Sequence, residues 1–385
     1  MAELKLERIR KRYGDAVVVD DFDLTIPAGA FVALLGPSGC GKTTMLRMLA
    51  GFETPDAGRI SLGSRVLSDA RAHVLPERRG MGMVFQSYAL WPHMSVADNV
   101  GYALKLRGAR GAAYADRVRE ALEWVRLADR ADAMPQDLSG GQRQRVALAR
   151  CLVGEPEVVL LDEPLANLDR HLRASMEQTF REFHRRTGAT FVYVTHDQEE
   201  AMALADRVAV MQHGRLIQWA EPEMLYRRPR TDWLAAFIGQ GSVLDAAGEL
   251  SGEIDGMRLM AALARRDGRR TPVLVRPEHV RVVDVRVADV RVTDVRVADV
   301  RTADARVVGV PATDMPVPDV PVPDVRVPDG GMTGDVTECM FRGERYEVTM
   351  ALADGQQLIA YHAAPLAQGA RVSVRIAQGW ALERA

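Results

Sequence analysis

The sequence is poor in lysine and cysteine and contains no long apolar run. Of its 50 basic residues only four are lysines, namely Lys5, Lys11, Lys42 and Lys105. The formal net charge of -2 over 385 residues leaves no basic footprint, so we expect no nucleic-acid partner. The three cysteines lie far apart in the sequence, which argues against both a disulfide framework and a zinc site.

The absence of an apolar run of about 18 residues predicts that no helix spans a membrane. The first residues, Met1 to Lys5, also lack the apolar core of a signal peptide. We therefore expect a soluble, cytoplasmic chain, which could still lie against a membrane protein. A length of 385 residues exceeds one ordinary core and predicts two or three domains.

What the sequence does contain is a glycine-rich loop between a strand pattern and a helix pattern. It follows the apolar run Phe31 to Leu35, leads into a periodic helix from Thr44, and reads Gly36-Pro37-Ser38-Gly39-Cys40-Gly41-Lys42-Thr43. The glycines let backbone N–H groups converge on a polyphosphate at the positive end of the helix. Lys42 would reach the β- and γ-phosphates, and the Thr43 hydroxyl would complete a Mg²⁺ shell. A flexible turn is the alternative, but the flanking strand and helix favour a nucleoside-triphosphate site.

A second potential anion site lies later in the chain. After Leu138 comes the segment Ser139-Gly140-Gly141-Gln142, ahead of a helix expected from about Arg143 to Val153. A serine and two glycines at a helix N-terminus can bind an anion, or they can simply cap the helix. Beside the phosphate loop, this second site suggests that two chains share each nucleotide.

Paired carboxylates follow a strand that the sequence predicts to be central. Val158 to Leu161 is an apolar run typical of a strand buried on both faces of a parallel sheet, and it ends in Asp162-Glu163. Ligands of open α/β sheets bind at the carboxyl edge of the strands. Asp162 can hold the metal, usually through water, while Glu163 can orient or deprotonate a nucleophilic water. Two unpaired buried acids are costly, which argues against a purely structural role.

Three single residues could complete this site, although each has an ordinary alternative. Tyr13 could stack on a base or be a half-buried aromatic at a strand end. Gln86, directly after the strand Met81 to Phe85, could reach the metal or the water, or could cap a loop. His196 follows the β-rich run Thr190 to Thr195 and could contact the γ-phosphate, or be a core or surface histidine.

Two loops are candidates for contacts with other proteins. The loop Tyr88-Ala89-Leu90-Trp91-Pro92-His93-Met94 is aromatic and apolar, which suits either a docking surface or a lid over a small core. Ser95 then caps a mostly helical segment that continues to Leu152. The turn Asn167-Leu168-Asp169 could carry contacts to a partner subunit.

Over about residues 3–238 the chain resembles the nucleotide-binding subunit of an ATP-binding-cassette transporter. The elements that carry this resemblance, in the family's order and spacing, are the phosphate loop, Gln86, Leu138 to Gln142, Leu160 to Glu163, Asn167 to Asp169 and His196. The Leu-Ser-Gly-Gly-Gln element is highly specific, because other phosphate-loop ATPases and kinases lack it. The resemblance implies an α/β P-loop NTPase fold, with a RecA-like core of mainly parallel sheet and a helical subdomain at about residues 88–155.

The resemblance also implies a dimer in which two cassettes face head to tail with two ATP molecules between them. Each ATP would bind Tyr13, through its adenine, and residues Gly36 to Thr44 of one chain. From the other chain it would meet Ser139, Gly140, Gly141, Gln142 and Asp169. Thr43, Gln86 and Asp162 would hold Mg²⁺, Glu163 would be the catalytic base, and His196 would act as the γ-phosphate switch. The loop Tyr88 to Met94 would receive a cytoplasmic helix of the permease.

The C-terminal part resembles the small β-barrel regulatory domain of importer ATPases, an OB- or TOBE-like fold that would occupy residues 239–385. The segment Val273 to Glu278 carries this resemblance, and strands expected at Arg345 to Ala351, Leu358 to His362 and Arg371 to Ile376 fit the barrel. Such subunits serve binding-protein-dependent importers of sugars, polyamines, ferric iron, sulfate and similar solutes. The junction Phe237 to Gly241 is most similar to iron- and polyamine-type members.

A low-complexity segment interrupts the barrel from about residue 281 to 329. It repeats every five residues, as in Arg286-Val-Ala-Asp-Val, and later becomes rich in proline. A period of five fits neither strand nor helix. We expect a disordered or extended insertion in a surface loop, with a short pentapeptide solenoid as the alternative.

These features predict an ATP-hydrolysing, energy-coupling subunit of a solute importer. Its partners would be a second ATPase subunit, transmembrane permease subunits and, indirectly, an external solute-binding protein. Its place would be the cytoplasmic face of the inner membrane. The alternatives are a soluble cassette ATPase of translation or repair, and a chain whose barrel serves mainly as a regulatory binding module.

Overall fold

The computed structural model describes residues 2–166, 170–284 and 331–383. The turn at 167–169, which includes Asp169, and residues 285–329 of the predicted repeat lie outside the described residues. The chain forms two compact units, Met1–Pro229 and Arg230–Ala385. Within the described ranges, no helix has the length and apolar character needed to cross a membrane.

The first unit contains both strands and helices. Its elements, in chain order, are β1 (Leu4–Tyr13), β2 (Ala16–Ile26), β3 (Phe31–Leu35), α1 (Lys42–Ala50), β4 (Ala57–Leu62), β5 (Arg65–Ser68), β6 (Met81–Val84), α2 (Val96–Leu106), α3 (Gly111–Trp124), α4 (Gly140–Leu152), β7 (Val158–Asp162), α5 (Arg170–Thr187), β8 (Thr190–Thr195), α6 (Gln198–Leu204), β9 (Arg207–Gln212), β10 (Arg215–Ala220) and α7 (Pro222–Arg227).

The central sheet of this unit has the strand order β10-β9-β3-β8-β7-β6. Strands β9, β3, β8, β7 and β6 run parallel, which confirms the predicted mainly parallel sheet. Strand β10 pairs antiparallel with β9 at the edge. Every residue of β3, β7 and β8 is buried, as expected for apolar runs in a sheet covered on both faces.

A second sheet of the first unit is antiparallel, in the order β2-β1-β4-β5. The apolar residues of β1 and β2 alternate with exposed polar ones, so each strand turns one face inward. That face shares one apolar core with the central sheet and with Met45, Leu46 and Met48 of α1. Helix α1, which begins at the phosphate loop, is therefore held by both sheets.

Helices α2, α3 and α4 occupy the segment that the sequence predicts to be mostly helical. Ser95 caps α2 as expected, because its Oγ accepts a hydrogen bond from the N–H of Asp98 at 3.1 Å. Helix α4 begins at Gly140, so the expected start near Arg143 is wrong. The Ser139 cap is the reason, since a side chain that satisfies the free N–H groups lets a glycine pair form the first turn.

The second unit is built from antiparallel strands that form a nearly closed barrel. Its elements are α8 (Asp232–Phe237), β11 (Ser242–Ala247), β12 (Glu253–Asp255), α9 (Gly256–Ala264), β13 (Arg270–Val275), β14 (Val280–Asp284), β15 (Met332–Phe341), β16 (Tyr346–Leu352), β17 (Gln357–His362), β18 (Arg371–Ile376) and β19 (Gln378–Ala381).

Two sheets make up the barrel, in the orders β11-β13-β19-β12 and β14-β18-β15-β16-β17. The three strands expected here appear as β16, β17 and β18, each within one residue of the expected ends. Helix α9 contributes Leu259, Met260 and Leu263 to the same apolar core as the strands. Apolar and polar residues alternate along these strands because the core lies on only one face of each sheet.

Candidate nucleotide site

Four segments with polar residues leave the central sheet at one edge. The phosphate loop follows β3, His196 follows β8, Asp162 and Glu163 end β7, and Gln86 lies in the turn after β6. These strands are consecutive neighbours in register, since Leu35 pairs with Thr195, Val194 with Asp162, and Leu161 with Val84. Because the strands are parallel, their carboxyl ends meet, and the sheet lines up these polar groups in one row.

The glycines of the phosphate loop are required by its backbone path. Gly41, at the N-terminal cap of α1, has φ of 105°, and a Cβ there would lie 2.6 Å from the carbonyl oxygen of Val18. At Gly36 a Cβ would collide with the carbonyl oxygen of Met211. Both ends of the loop therefore require glycine, because the backbone of Val18 and of Met211 packs directly against them.

Lys42 is held inside the loop and is only 4% exposed. Its Nζ donates to the carbonyl oxygens of Gly36 at 2.8 Å and Pro37 at 3.0 Å. These two contacts keep the ammonium at the centre of the loop. A cation at this point, next to the free N–H groups of a helix N-terminus, makes the loop an anion site.

Thr43 and Asp162 form the contact between the loop and the end of β7. Thr43 Oγ1 donates to Asp162 Oδ1 at 3.3 Å. Burial raises the pKa of Asp162, the hydrogen bond from Thr43 opposes this rise, and the neighbouring charge of Glu163 adds to it. The surroundings of Asp162 therefore disfavour its charged form, and a bound cation would stabilise that form.

The oxygen groups at this point fit Mg²⁺, which prefers a few protein oxygens together with phosphate and water. The hydroxyl of Thr43 and the carboxylate of Asp162 are hard oxygen ligands placed side by side. Among the described residues, no group of three or more His, Cys, Asp and Glu side chains could hold a metal ion by itself. Thr43 and Asp162 are the residues here that would hold an ion together with the phosphates of a nucleotide.

Glu163 and His196 are in contact with each other. The Nδ1 of His196 lies 3.3 Å from Oε2 of Glu163, with the histidine side chain 53% exposed and the glutamate side chain 22% exposed. Glu163 adopts a left-handed backbone conformation with φ of 43°, which is costly for a residue with a side chain. Its N–H donates to the carbonyl oxygen of Val194 at 3.0 Å and holds this conformation in place. Strand β8 thus holds the backbone of Glu163 in this conformation.

The loop after Gln86 is held to helix α4 by Arg150. Tyr88 and Ala89 both have positive φ, of 63° and 47°. Arg150 donates to the carbonyl oxygens of Ala89 at 2.7 Å and Tyr88 at 2.8 Å, and its guanidinium lies 4.9 Å from the Trp91 ring centroid. A strained loop whose two carbonyls bind one guanidinium has a defined shape. Gln86 itself lies exposed at the start of this loop.

The segment Ser139 to Gln142 forms a capping box. Ser139 Oγ accepts from the N–H of Gln142 at 3.3 Å, and Gln142 Oε1 accepts from the N–H of Ser139 at 2.8 Å. Ser139 is exposed, whereas Gly141 is buried, and a Cβ at Gly141 would lie 2.6 Å from the Leu172 side chain.

Tyr13, at the end of β1, is 45% exposed, and its ring faces Lys11 Nζ at 5.3 Å.

The structure therefore brings some of the predicted site residues into contact and leaves others separate from them. Thr43, Asp162, Glu163 and His196 form a connected row within one chain. Tyr13 and Ser139 lie on other elements and have other neighbours. The predicted role of Asp169 lies outside the described residues.

Three supporting side chains were not expected from the sequence. Gln144 of α4 is fully buried, and its Nε2 donates to the carbonyl oxygen of Pro164, next to Glu163, at 2.6 Å. Arg79 is fully buried against the end of α1. Arg173 of α5 contacts Asp197, the residue after His196. A polar residue at an apolar helical position, as at Gln144, is the one signal that the sequence offers for these contacts.

Comparison with known proteins agrees with the site geometry. The family described as "ABC transporter" matches residues 19–166. The spermidine/putrescine import ATP-binding protein PotA of Pseudomonas aeruginosa is 49% identical over 288 residues, which cover 72% of this chain and 78% of that protein. The sn-glycerol-3-phosphate import ATP-binding protein UgpC of Chromobacterium violaceum is 45% identical over 291 residues, covering 73% of this chain and 80% of that protein.

Two further similarities involve a ferric-ion import subunit and a solved structure. The Fe(3+) ions import ATP-binding protein FbpC 1 of Haemophilus influenzae is 51% identical over 242 residues, which cover 63% of this chain and 73% of that protein. Among solved structures, the ATP-binding cassette MJ0796, in a dimeric post-hydrolysis state bound to ADP and Pi, matches with a TM-score of 0.52 and 30% identity. That match covers 57% of this chain and 98% of the cassette.

Proposed function

The chain belongs to the ABC transporter family as an ATP-binding subunit of the import type, an ATPase, and from this premise we propose that it powers solute uptake as one half of a head-to-tail dimer. The observation that supports the proposal best is the row formed by Thr43, Asp162, Glu163 and His196 at the carboxyl edge of the central sheet. This row contains the groups that in-line phosphoryl transfer to water needs, in adjacent positions.

In this proposal the residues of the row act together with Lys42 and Gln86. Lys42 and the loop N–H groups bind the β- and γ-phosphates, and Gln86 contacts the attacking water. Thr43, Asp162 and Gln86 would hold Mg²⁺, whose charge would offset that of the phosphates. Glu163 accepts a proton from water while the water oxygen attacks the γ-phosphorus and the bond to ADP breaks. His196, held beside Glu163, contacts the γ-phosphate and keeps the carboxylate aimed at the water.

The second half of each ATP site would come from another copy of the chain. Ser139, Gly140, Gly141 and Gln142 of the partner would face the γ-phosphate, and Asp169 of the partner would line the same interface. The exposed Ser139 at the start of α4 supports this arrangement, because it leaves the helix N-terminus open to an anion. The dimeric state of the cassette MJ0796 agrees with it. Tyr13 would stack on the adenine.

We further propose that the loop Tyr88 to Met94 receives a cytoplasmic helix of a permease, which places the chain on the inner face of the cell membrane. The loop is aromatic and apolar, yet its backbone is fixed by Arg150. A preformed apolar loop suits a groove for a partner helix better than a mobile lid does. An external solute-binding protein would deliver the cargo to the permease.

For the cargo we favour a polyamine or ferric iron. The relatives named for spermidine and putrescine and for Fe(3+) ions support these two classes, as does the junction Phe237 to Gly241. The relative named for sn-glycerol-3-phosphate is 45% identical, so identity alone does not separate the three. In this architecture the permease and the binding protein select the solute.

Uptake in cells tests this function. A strain that lacks the gene is complemented with the wild-type chain or with Glu163→Gln, and uptake of labelled putrescine, spermidine and ferric citrate is measured. We expect one class of solute to be taken up with the wild-type chain and not with the variant. Equal uptake of all three with and without the gene would refute the import role for these solutes.

A further inference from the structure

The turn that contains His196 is attached to α6 by hydrogen bonds on both sides of the histidine. Thr195 Oγ1 donates to Oε2 of Glu200 at 2.7 Å, and it accepts from the N–H of Asp197 at 2.9 Å. Asp197 Oδ1 in turn accepts from the N–H groups of Glu199 at 2.8 Å and Glu200 at 3.3 Å. His196 is therefore carried between two anchored residues, although its own side chain is 53% exposed.

Glu200 is the buried centre of this network. It is 3% exposed, and its Oε2 accepts a second hydrogen bond from the hydroxyl of Tyr193 at 2.7 Å. A buried carboxylate is stable only when it is hydrogen-bonded and paired with a cation. The two hydroxyl groups supply the hydrogen bonds, so the remaining requirement is a positive charge near Oε1.

Arg173 of α5 supplies that charge and also contacts the other side of the turn. Its Nη1 donates to Asp197 Oδ2 at 2.7 Å, and its Nε lies 3.6 Å from Glu200 Oε1. Within the described part of the chain this buried Nε has no hydrogen-bond partner, so its contact with Glu200 is an ion pair. The Arg173 guanidinium thus connects Asp197, which follows His196, to the Glu200 carboxylate. That carboxylate in turn anchors Thr195, which precedes His196.

We infer that Arg173 is a positioning residue for ATP hydrolysis, because its guanidinium holds the His196 turn against α5 and so keeps His196 beside Glu163. The inference rests on the proposed roles of Glu163 and His196. Arg173 contacts neither of them directly, and its effect passes through Asp197 and Glu200. Helix α5 begins at Arg170, so the same arginine also ties the first turn of this helix to the His196 turn.

The first experiment measures steady-state ATPase kinetics and nucleotide affinity of the full chain carrying Arg173→Met. We expect kcat to fall by about 10-fold or more, since small misplacements of a catalytic group have effects of this size. The KM for ATP and the affinity for a non-hydrolysable analogue should stay within about twofold, because Lys42 and the phosphate loop are untouched.

Arg181→Met is the matched control. Arg181 lies on the same helix and donates to the carbonyl oxygen of Ala203, at the other end of α6. It therefore joins the same two helices without contacting the His196 turn, and its loss should leave kcat within about twofold. An equal fall in kcat for Arg181→Met and Arg173→Met would overturn the inference, because general loosening of α5 from α6 would then explain both.

A double variant separates positioning from simple structural support. In a His196→Ala background, Arg173→Met should lower kcat by less than about twofold further, because the group that Arg173 positions is already absent. A full additional 10-fold loss, or a rise in KM that accounts for the effect, would overturn the inference. If His196→Ala alone keeps wild-type turnover, the proposed role of His196 fails instead, which distinguishes the two failures.

Arg173→Lys keeps the experiment decisive if the methionine variant does not fold. The lysine retains the charge beside Glu200 but has no planar fork to reach Asp197 at the same time. We expect a thermal midpoint close to wild type together with a fall in kcat of several-fold. Wild-type kcat in a folded Arg173→Lys chain would show that the charge alone matters and would overturn the positioning role.

Discussion

Replacement of Arg79 by methionine should destabilise the first unit strongly, although it removes a buried charge. Arg79 is fully buried and donates to four backbone carbonyl oxygens, those of Met48, Leu49, Leu67 and Val74. Met48 and Leu49 lie in the last turn of α1, where carbonyl groups lack partners within the helix. The arginine therefore caps the helix that begins at the phosphate loop.

Two opposing free energies decide the outcome. Burial lowers the pKa of Arg79 to about 10, which corresponds to a cost of about 3 kcal/mol for keeping the charge. Removing the guanidinium recovers this cost but takes the donor from the carbonyl groups of Met48, Leu49 and Val74, at about 1–3 kcal/mol each, whereas the Leu67 carbonyl still accepts from the N–H of Val74. The lost hydrogen bonds outweigh the recovered charge, and we expect Arg79→Met to lower the free energy of unfolding by about 3 kcal/mol.

Urea denaturation followed by circular dichroism measures this loss. We expect the midpoint of the first unit to fall by about 1 M or more in Arg79→Met. The neighbouring Arg78, which is exposed, offers the control, and Arg78→Met should leave the midpoint nearly unchanged. Equal midpoints for the two variants would refute the reasoning, because the buried hydrogen bonds would then carry no net stability.

Three further predictions concern the site and its surroundings. Burial raises the pKa of Asp162, so the charged carboxylate lowers the stability of the folded chain at a pH above that pKa. Asp162→Asn should therefore raise the thermal midpoint and abolish Mg²⁺-dependent turnover. A lower thermal midpoint in the variant would contradict this prediction. Arg150→Gln should leave turnover of the isolated chain within about twofold but reduce uptake in cells, and unchanged uptake refutes its link to the docking loop. Deletion of residues 285–328, which keeps strand β14 complete, should preserve folding and turnover, measured by circular dichroism and phosphate release, and loss of either contradicts a surface insertion.

Much of the fold follows from local patterns in the sequence. The runs at Phe31 to Leu35 and Val158 to Leu161 are apolar throughout, and the run Thr190 to Thr195 is rich in β-branched and aromatic residues; these patterns predict buried strands. The carboxyl ends of parallel strands lie at the same edge of a sheet, so the polar residues that follow these strands are expected to lie close together. The contact between Thr43 and Asp162 and the contact between Glu163 and His196 are consistent with that expectation.

The supporting contacts could not be predicted, because they depend on side chains that meet only in the folded chain. Arginines such as Arg79, Arg150 and Arg173 occur at helix and loop positions where solvation is the usual outcome. Their partners are mostly backbone carbonyls, which have no sequence signature. The start of α4 was misplaced for a related reason, since glycines disfavour a helix and only the Ser139 cap overcomes that preference.

The central claim is that Glu163 is the base of an ATP site shared between two chains. Glu163→Gln keeps the shape of the side chain and removes its basicity, so ATP should bind without being cleaved. Light scattering after size exclusion, with Mg²⁺ and ATP present, measures the assembly directly. We predict a stable dimer that retains ATP, with turnover nearly abolished. A variant that stays monomeric with ATP and hydrolyses it at the wild-type rate would contradict the account.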